Sequence, residues 1–107
     1  MTVSEMVETA ISEGIAAYKK NSKGTPEARR LDRHEPTFID GQWYTCWREY
    51  AVCRMAEQIQ EILPYADVEV ELDGNASLLT VSASEEEQRE LSSRLYLFLK
   101  KNCGMAL

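Results

Sequence analysis

The residues best suited to chemistry lie near the end of the first third of the chain. Asp32, His34 and Glu35 combine two carboxylates with the single imidazole of the sequence, and such a set could transfer protons or hold a metal ion. Their spacing, however, spreads the side chains around the end of a short helix instead of bringing them together. The sequence has no glycine-rich phosphate loop and no nucleophile signature, so we expect no enzyme.

The three cysteines are a second possible source of chemistry. Cys46 and Cys53 are expected on one helix, about 10 Å apart along its axis, which is too far for a disulfide. A structural zinc site needs close pairs of Cys or His, and the lone His34 is distant in sequence from all three thiols, including Cys103. We expect free thiols, no metal and no cofactor. A Cys nucleophile with His34 as its base has no orienting signature.

Carboxylates dominate the second half of the sequence. Ten of them lie between residues 57 and 90 against one cation, Arg89, whereas acids and bases balance before residue 55, so the formal net charge of −6 comes from the second half. Such a surface can steer a partner with a basic surface toward the protein. The alternative is that these carboxylates form the solvent-exposed side of a half-buried sheet and protect its edges from aggregation. The carboxylates expected on one strand and its turn are Asp67, Glu69, Glu71 and Asp73.

A basic connector at about 19–36 opposes this charge. It holds six of the twelve Lys and Arg residues of the chain, and it could contact phosphates, an acidic partner or the acidic hairpin of a second copy. A nucleic-acid-associated accessory protein is therefore the alternative function, less favoured because the net charge is negative. The six cations are Lys19, Lys20, Lys23, Arg29, Arg30 and Arg33.

Aromatic residues are concentrated just before the middle of the chain. Four of the nine aromatics fall within the eight residues 43–50, and Trp and Tyr are enriched at the centres of protein interfaces. We predict that Trp43, Trp47 and Tyr50 anchor a partner. The alternative is that this face is core, covered by the first helix.

Helical patterns fill the first half. Apolar residues at helical spacing predict a helix over about 3–20. Thr25 followed by Pro26 predicts an N-cap and the first position of a short helix that ends near Arg33.

The longest predicted element is a helix over 41–63, with Asp40 as its N-cap and Pro64 beyond its end. Its apolar face shifts midway around the helix, which indicates contact with two different bodies. These are either two parts of this domain, or this domain and a partner. The alternative is a tight turn at Asp40–Gly41 between short strands at 37–39 and 42–45.

The pattern then changes to a period of two. Residues 67–73 alternate apolar and acidic side chains, 73–75 form a turn, and 77–83 supply a returning strand. Ser84 and Glu87 have the spacing of a capping box, which opens a helix over about 85–102. The side chains that this helix is expected to bury are Leu91, Leu95, Phe98 and Leu99.

The element order predicts an α+β fold: helix, short helix, long helix, β-hairpin and helix, with the helices packed on one face of a small antiparallel sheet. At 107 residues we expect one compact domain, 1–107. The open sheet edges favour a homodimer. Without a signal peptide or membrane-length apolar run, we expect a cytoplasmic protein with no membrane association.

These features together predict a small acidic protein that binds another protein and is not an enzyme, either an adaptor or an inhibitor. Secretion chaperones, immunity proteins and phage-encoded inhibitors are similar to it in composition only.

Overall fold

Four helices and two separate β-hairpins make up the described part of the chain. The computed structural model describes residues 3–102, and in the last helix it describes side chains only as far as residue 94. The elements in chain order are α1 (Val3–Asn21), α2 (Pro26–Asp32), β1 (Thr37–Ile39), β2 (Gln42–Tyr44), α3 (Trp47–Ile62), β3 (Asp67–Glu71), β4 (Leu78–Ser82) and α4 (Glu85–Asn102). The predicted α+β class is confirmed, with one hairpin more than the leading prediction contained.

The larger hydrophobic core lies where α1, α3 and α4 meet the inner face of the β3–β4 hairpin. Ile11, Met55, Ile59 and Leu91 are completely buried there. The antiparallel register pairs Val68 with Val81 and Val70 with Leu79, so these four side chains share one face of the hairpin. Val68, Leu79 and Val81 pack against the core, whereas Val70 is 39% exposed. The predicted alternation of apolar and acidic residues on β3 is therefore confirmed, and its apolar face is only partly covered.

Local capping sets two of the helix starts as predicted. The Thr25 hydroxyl accepts from the Ala28 N–H at 3.2 Å, with Pro26 at the first helical position. Ser84 and Glu87 form the reciprocal capping box of α4, each accepting a hydrogen bond from the other's backbone N–H. Both caps satisfy backbone donors that have no partner within the helix.

The prediction of a helix from residue 41 is wrong, and the alternative hairpin is confirmed. Strands β1 and β2 pair across a two-residue turn in which Asp40 has φ 49° and Gly41 has φ 85°. Two consecutive positive φ angles are typical of the tight turns that match strand twist, and they are incompatible with a right-handed helix. Asp40 therefore occupies the turn and caps no helix.

A second, smaller cluster explains why the apolar pattern changes faces. Trp47 at the start of α3 packs with Ala28 and Leu31 of α2 and with Tyr44 of β2. The buried α3 residues of the larger core are Ala51, Val52, Met55 and Ile59. These two clusters are the two bodies that the shift of the apolar face predicted.

The Arg48 side chain adds polar contacts between α3, α1 and the second hairpin. It donates to the Ser77 carbonyl oxygen at 2.8 Å and to both Glu8 carboxylate oxygens at 2.7 and 3.2 Å.

Only part of the predicted burial on α4 can be compared with the structure. Leu91 is buried as predicted, but the predicted burial of Leu95, Phe98 and Leu99 lies outside the described side chains, and Cys103 lies outside the described residues. Within residues 3–102, no helix combines the length and the apolar character needed to cross a membrane.

Candidate functional site

A pair of aromatic rings projects from the outer face of the β1–β2 hairpin. Phe38 and Trp43 are directly opposite one another in the register, with ring centroids 5.2 Å apart. Phe38 is 55% exposed and Trp43 is 63% exposed, while the neighbouring pair Thr37 and Tyr44 faces inward and is buried. Because strand side chains alternate between faces, the hairpin that buries Tyr44 also holds two large rings in solvent.

The predicted aromatic anchor is thus divided between three environments. Trp43 lies on a strand and is exposed, Trp47 is only 7% exposed in the first turn of α3, and Tyr50 is half-buried. Trp47 therefore offers a flat protein surface little contact area. Phe38 was not among the predicted site residues, although the two-residue turn at Asp40–Gly41, once recognised, places residue 38 opposite residue 43.

The predicted acidic surface is present on the outer face of β3. Asp67, Glu69 and Glu71 alternate along the strand and are exposed, and Asp73 in the turn is exposed as well. Within the part of the chain that the structure describes, none of these four carboxylates forms an ion pair. Leu78 of β4, paired with Glu71, shares this face and is 52% exposed, so the surface combines negative charge with an apolar contact.

One buried carboxylate connects the two hairpins. Glu49 Oε1 accepts from the Thr45 N–H at 2.6 Å and from the Thr45 hydroxyl at 2.7 Å, and Glu49 Oε2 accepts from the Gly74 N–H at 3.0 Å. Burial by itself would raise the pKa of Glu49, but these hydrogen bonds outweigh it and hold the pKa below its ordinary value. The ionised side chain therefore joins the end of β2 to the turn after β3.

The basic connector is exposed throughout its six cations. Arg29 donates to the Gly24 carbonyl oxygen at 2.9 Å, and Arg33 lies 3.7 Å from the Glu35 carboxylate. Exposed pairs of this kind contribute little to stability, so the connector remains a solvated basic surface.

A cavity of about 250 Å³ brings some of the candidate catalytic residues together, with Asp32, His34 and Cys46 among its lining residues. Asp32 Oδ1 is already engaged by the Trp47 indole N–H at 2.6 Å. Among the described residues, His34 makes no hydrogen bond to either Asp32 or Cys46, so nothing orients an acid–base pair. No group of three potential metal ligands occurs in the described part of the chain.

The two described thiols are free, Cys46 being buried and Cys53 half-buried. Burial, together with nearby Glu57, raises the pKa of Cys53 above its ordinary value even though Gln42 donates to its sulfur at 3.6 Å. Burial likewise raises the pKa of Tyr44 to about 12. Both groups are therefore protonated near neutral pH, and a protonated thiol is a poor nucleophile.

No family model, curated protein or solved structure matches this chain.

Proposed function

We propose that this protein is a non-enzymatic adaptor or inhibitor that binds another protein in the cytoplasm. The observation that carries the proposal is the Phe38–Trp43 pair, two large aromatic side chains in mutual contact and more than half exposed. Adjacent exposed apolar groups of this size mark interaction sites, and Trp is enriched among the residues that dominate binding energy. Because each ring is already partly buried, covering its remaining surface contributes less than the roughly 1.5–3 kcal/mol of a full burial.

The acidic strand supplies the second part of the proposed interface. Asp67, Glu69, Glu71 and Asp73 are exposed and form no ion pairs within the described residues. Their field accelerates the approach of a basic surface, and this acceleration falls as salt screens the charges. A partner with a basic rim around an apolar socket fits both features.

The Glu49 hydrogen bonds support a preorganised interface. They connect Thr45, which follows the aromatic hairpin, with Gly74, which lies in the turn of the acidic hairpin. Two surface elements held by one buried carboxylate lose little conformational entropy on binding, and preorganisation of this kind strengthens affinity.

The anchor is tested by quantitative affinity capture from the native cell with Trp43→Ala and the matched control Tyr65→Ala. Tyr65 is 96% exposed and lies outside both hairpins. We expect the wild type and the Tyr65→Ala control to retain the same partner and Trp43→Ala to lose it. Equal retention by all three proteins contradicts the aromatic anchor.

The steering role is tested by association kinetics with the identified partner at two salt concentrations. A Glu69→Lys, Glu71→Lys double variant should associate about tenfold more slowly at low salt and show a weaker salt dependence. The control is the double variant Glu86→Lys, Glu90→Lys, which makes the same change in net charge on α4. An equal effect of both double variants would assign the effect to net charge and not to the acidic strand.

Self-association belongs to the same proposal. Val70, Leu72 and Leu78 are partly exposed apolar side chains of the second hairpin, and each hairpin is a two-stranded sheet with open edges. A second copy that pairs along an edge satisfies the unpaired backbone groups and covers these side chains, so we propose a homodimer.

The alternative function, a nucleic-acid-associated accessory protein, is supported by the exposure of all six connector cations. Electrophoretic mobility shifts with duplex and single-stranded probes at two salt concentrations test it, because phosphate contacts weaken steeply with salt. Binding at low salt that is lost on replacing Arg29 and Arg30 with Gln would support this alternative. The absence of binding at low salt would remove it.

A further inference from the structure

A surface cavity of about 290 Å³ opens where the end of α1, the start of α2, β1 and α3 meet. Three aromatic residues, Tyr18, Trp47 and Tyr50, contribute to its lining, together with aliphatic side chains of Leu31 and Ile39. Its volume lies just below the range for ligand pockets, roughly 300–1,000 Å³. A cavity of this size accepts one group about as large as a side chain.

The aromatic rings that line the cavity pack edge to face against one another. The Tyr50 ring lies 5.3 Å from Tyr18 at an interplanar angle of 75° and 6.3 Å from Trp47 at 77°. Edge-to-face packing fixes the orientation of the three rings, and aromatic surface that lines a pocket attracts quaternary and methylated ammonium groups.

The charges around the pocket favour a cation. Among the described residues that line it, Glu27 alone carries a charge, and it forms no ion pair within the described part of the chain. A second carboxylate, Asp32, accepts from the Trp47 indole N–H at 2.6 Å. A negative group at the positive edge of the indole fixes the ring and strengthens the attraction of its face for a cation.

The neighbouring cations of the basic connector do not line the pocket. Arg29 reaches the Gly24 carbonyl oxygen instead, and Lys19 lines the separate cavity near His34. A positively charged ligand therefore meets aromatic surface and the exposed Glu27 carboxylate at the pocket, although it must approach through the field of the connector, which salt screens.

We propose that this pocket binds an alkylammonium group, supplied either by a lysine or methylated lysine side chain or by a free small quaternary amine. The inference goes beyond the proposed function and stands without it, since it is defined by small probes and not by the protein partner. If the amine belongs to the partner, the pocket adds a specific contact to the exposed Phe38–Trp43 anchor.

The test compares choline with 3,3-dimethylbutan-1-ol, a neutral isostere with carbon in place of the charged nitrogen. Binding is followed by calorimetry and by the indole N–H resonance of Trp47 in NMR spectra, with exposed Trp43 as the internal reference. We expect millimolar binding of choline, about tenfold tighter than that of the isostere, with a shift at Trp47 and none at Trp43. Equal affinity for the two probes, or no shift at Trp47 in the millimolar range, overturns the proposal.

One further probe, compared with choline, identifies the source of the amine. Tighter binding of an acetylated, amidated trimethyllysine than of choline assigns the pocket to a protein side chain. The reverse order assigns it to a free quaternary amine. Failure of the proposed protein partner to bind leaves these small-probe results unaffected, so the two proposals fail separately.

Substitutions test the contribution of the aromatic lining residues and of the Glu27 carboxylate. Tyr50→Leu should reduce choline affinity about fivefold and leave the isostere nearly unaffected, and Glu27→Gln should weaken choline about threefold. Tyr65→Leu, which removes an exposed ring elsewhere, is the control. If Tyr50→Leu fails to fold, Tyr18→Leu and Glu27→Gln remain, because Glu27 is exposed. Unchanged preference for choline in every folded variant would assign binding to another surface.

Discussion

At the scale of single residues, Glu49 connects parts of the chain that are distant in sequence. Its carboxylate accepts three hydrogen bonds, two from Thr45 and one from the Gly74 N–H, and it is only 8% exposed. A buried carboxylate is costly unless donors surround it, and here backbone groups supply two of the three. The side chain therefore holds the start of α3 and both hairpins in one arrangement.

We expect Glu49→Gln to lower the free energy of unfolding by about 2 kcal/mol at pH 7, because hydrogen bonds to a charged acceptor are replaced by weaker ones and an amide N–H faces a donor. The pH dependence has a definite sign. The ordinary pKa is 4.5 and the folded-state pKa is lower, so the contribution of Glu49 is complete above about pH 4.5. It is lost as the pH falls through the folded-state pKa.

Urea unfolding between pH 3 and pH 7 measures both effects. Glu49→Gln should flatten the loss of stability on acidification relative to the wild type. Glu57→Gln is the control, because Glu57 is an exposed carboxylate paired with Arg54 at 3.3 Å and should change stability by less than about 0.5 kcal/mol. Equal acid sensitivity of the wild type and Glu49→Gln would contradict the assigned role.

At the scale of secondary structure elements, the start of α3 is the place where sequence and structure differ. The N-cap position belongs to Cys46, which makes no capping hydrogen bond through its side chain; instead Glu49 reaches back to Thr45, one residue earlier. A search for Ser, Thr, Asp or Asn at the N-cap therefore selects Asp40, which lies in the hairpin turn. The other helix starts, at Thr25 and Ser84, carry ordinary caps and were predicted correctly.

Two glycines give stability predictions of opposite sign. Gly41→Ala should destabilise the protein by about 1 kcal/mol, because Gly41 has φ 85° and a Cβ disfavours the left-handed region. Gly14→Ala should stabilise it by up to about 1 kcal/mol, because Gly14 lies within α1, where Ala is the better helix former. The added Cβ would meet Tyr18 Cε2 at 3.4 Å, an ordinary contact distance.

Thermal and urea unfolding of both variants distinguish these effects. The two substitutions add the same methyl group, so each serves as the control for the other. A neutral Gly41→Ala would contradict the tight turn between β1 and β2, and a destabilised Gly14→Ala would show that the space beside Tyr18 cannot accept a methyl group.

At the scale of the whole molecule, the distribution of charge and exposed apolar surface predicts how copies associate. Leu78 and Val70 are 52% and 39% exposed on the acidic hairpin. We expect a dimer in the micromolar range that is abolished by Leu78→Lys, with Tyr65→Lys as a control of the same charge change. Edge-to-edge pairing brings like carboxylates together, so added salt should strengthen this dimer.

Light scattering across protein and salt concentrations measures the association. A dimer that salt weakens would instead favour contact between the basic connector of one copy and the acidic hairpin of the other. A monomer at every concentration, or equal behaviour of Leu78→Lys and Tyr65→Lys, would contradict association through this hairpin.

The sequence by itself determined the features that depend on neighbouring residues. Strict alternation predicted β3 and its acidic face, and short-range caps predicted the starts of α2 and α4, because period and capping act over only a few positions. The tertiary structure alone decided which aromatics are exposed. Trp43 and Trp47 are four residues apart and chemically identical, yet one is 63% and the other 7% exposed. The difference arises because α2 packs on Trp47, whereas the hairpin turn directs Trp43 outward beside Phe38.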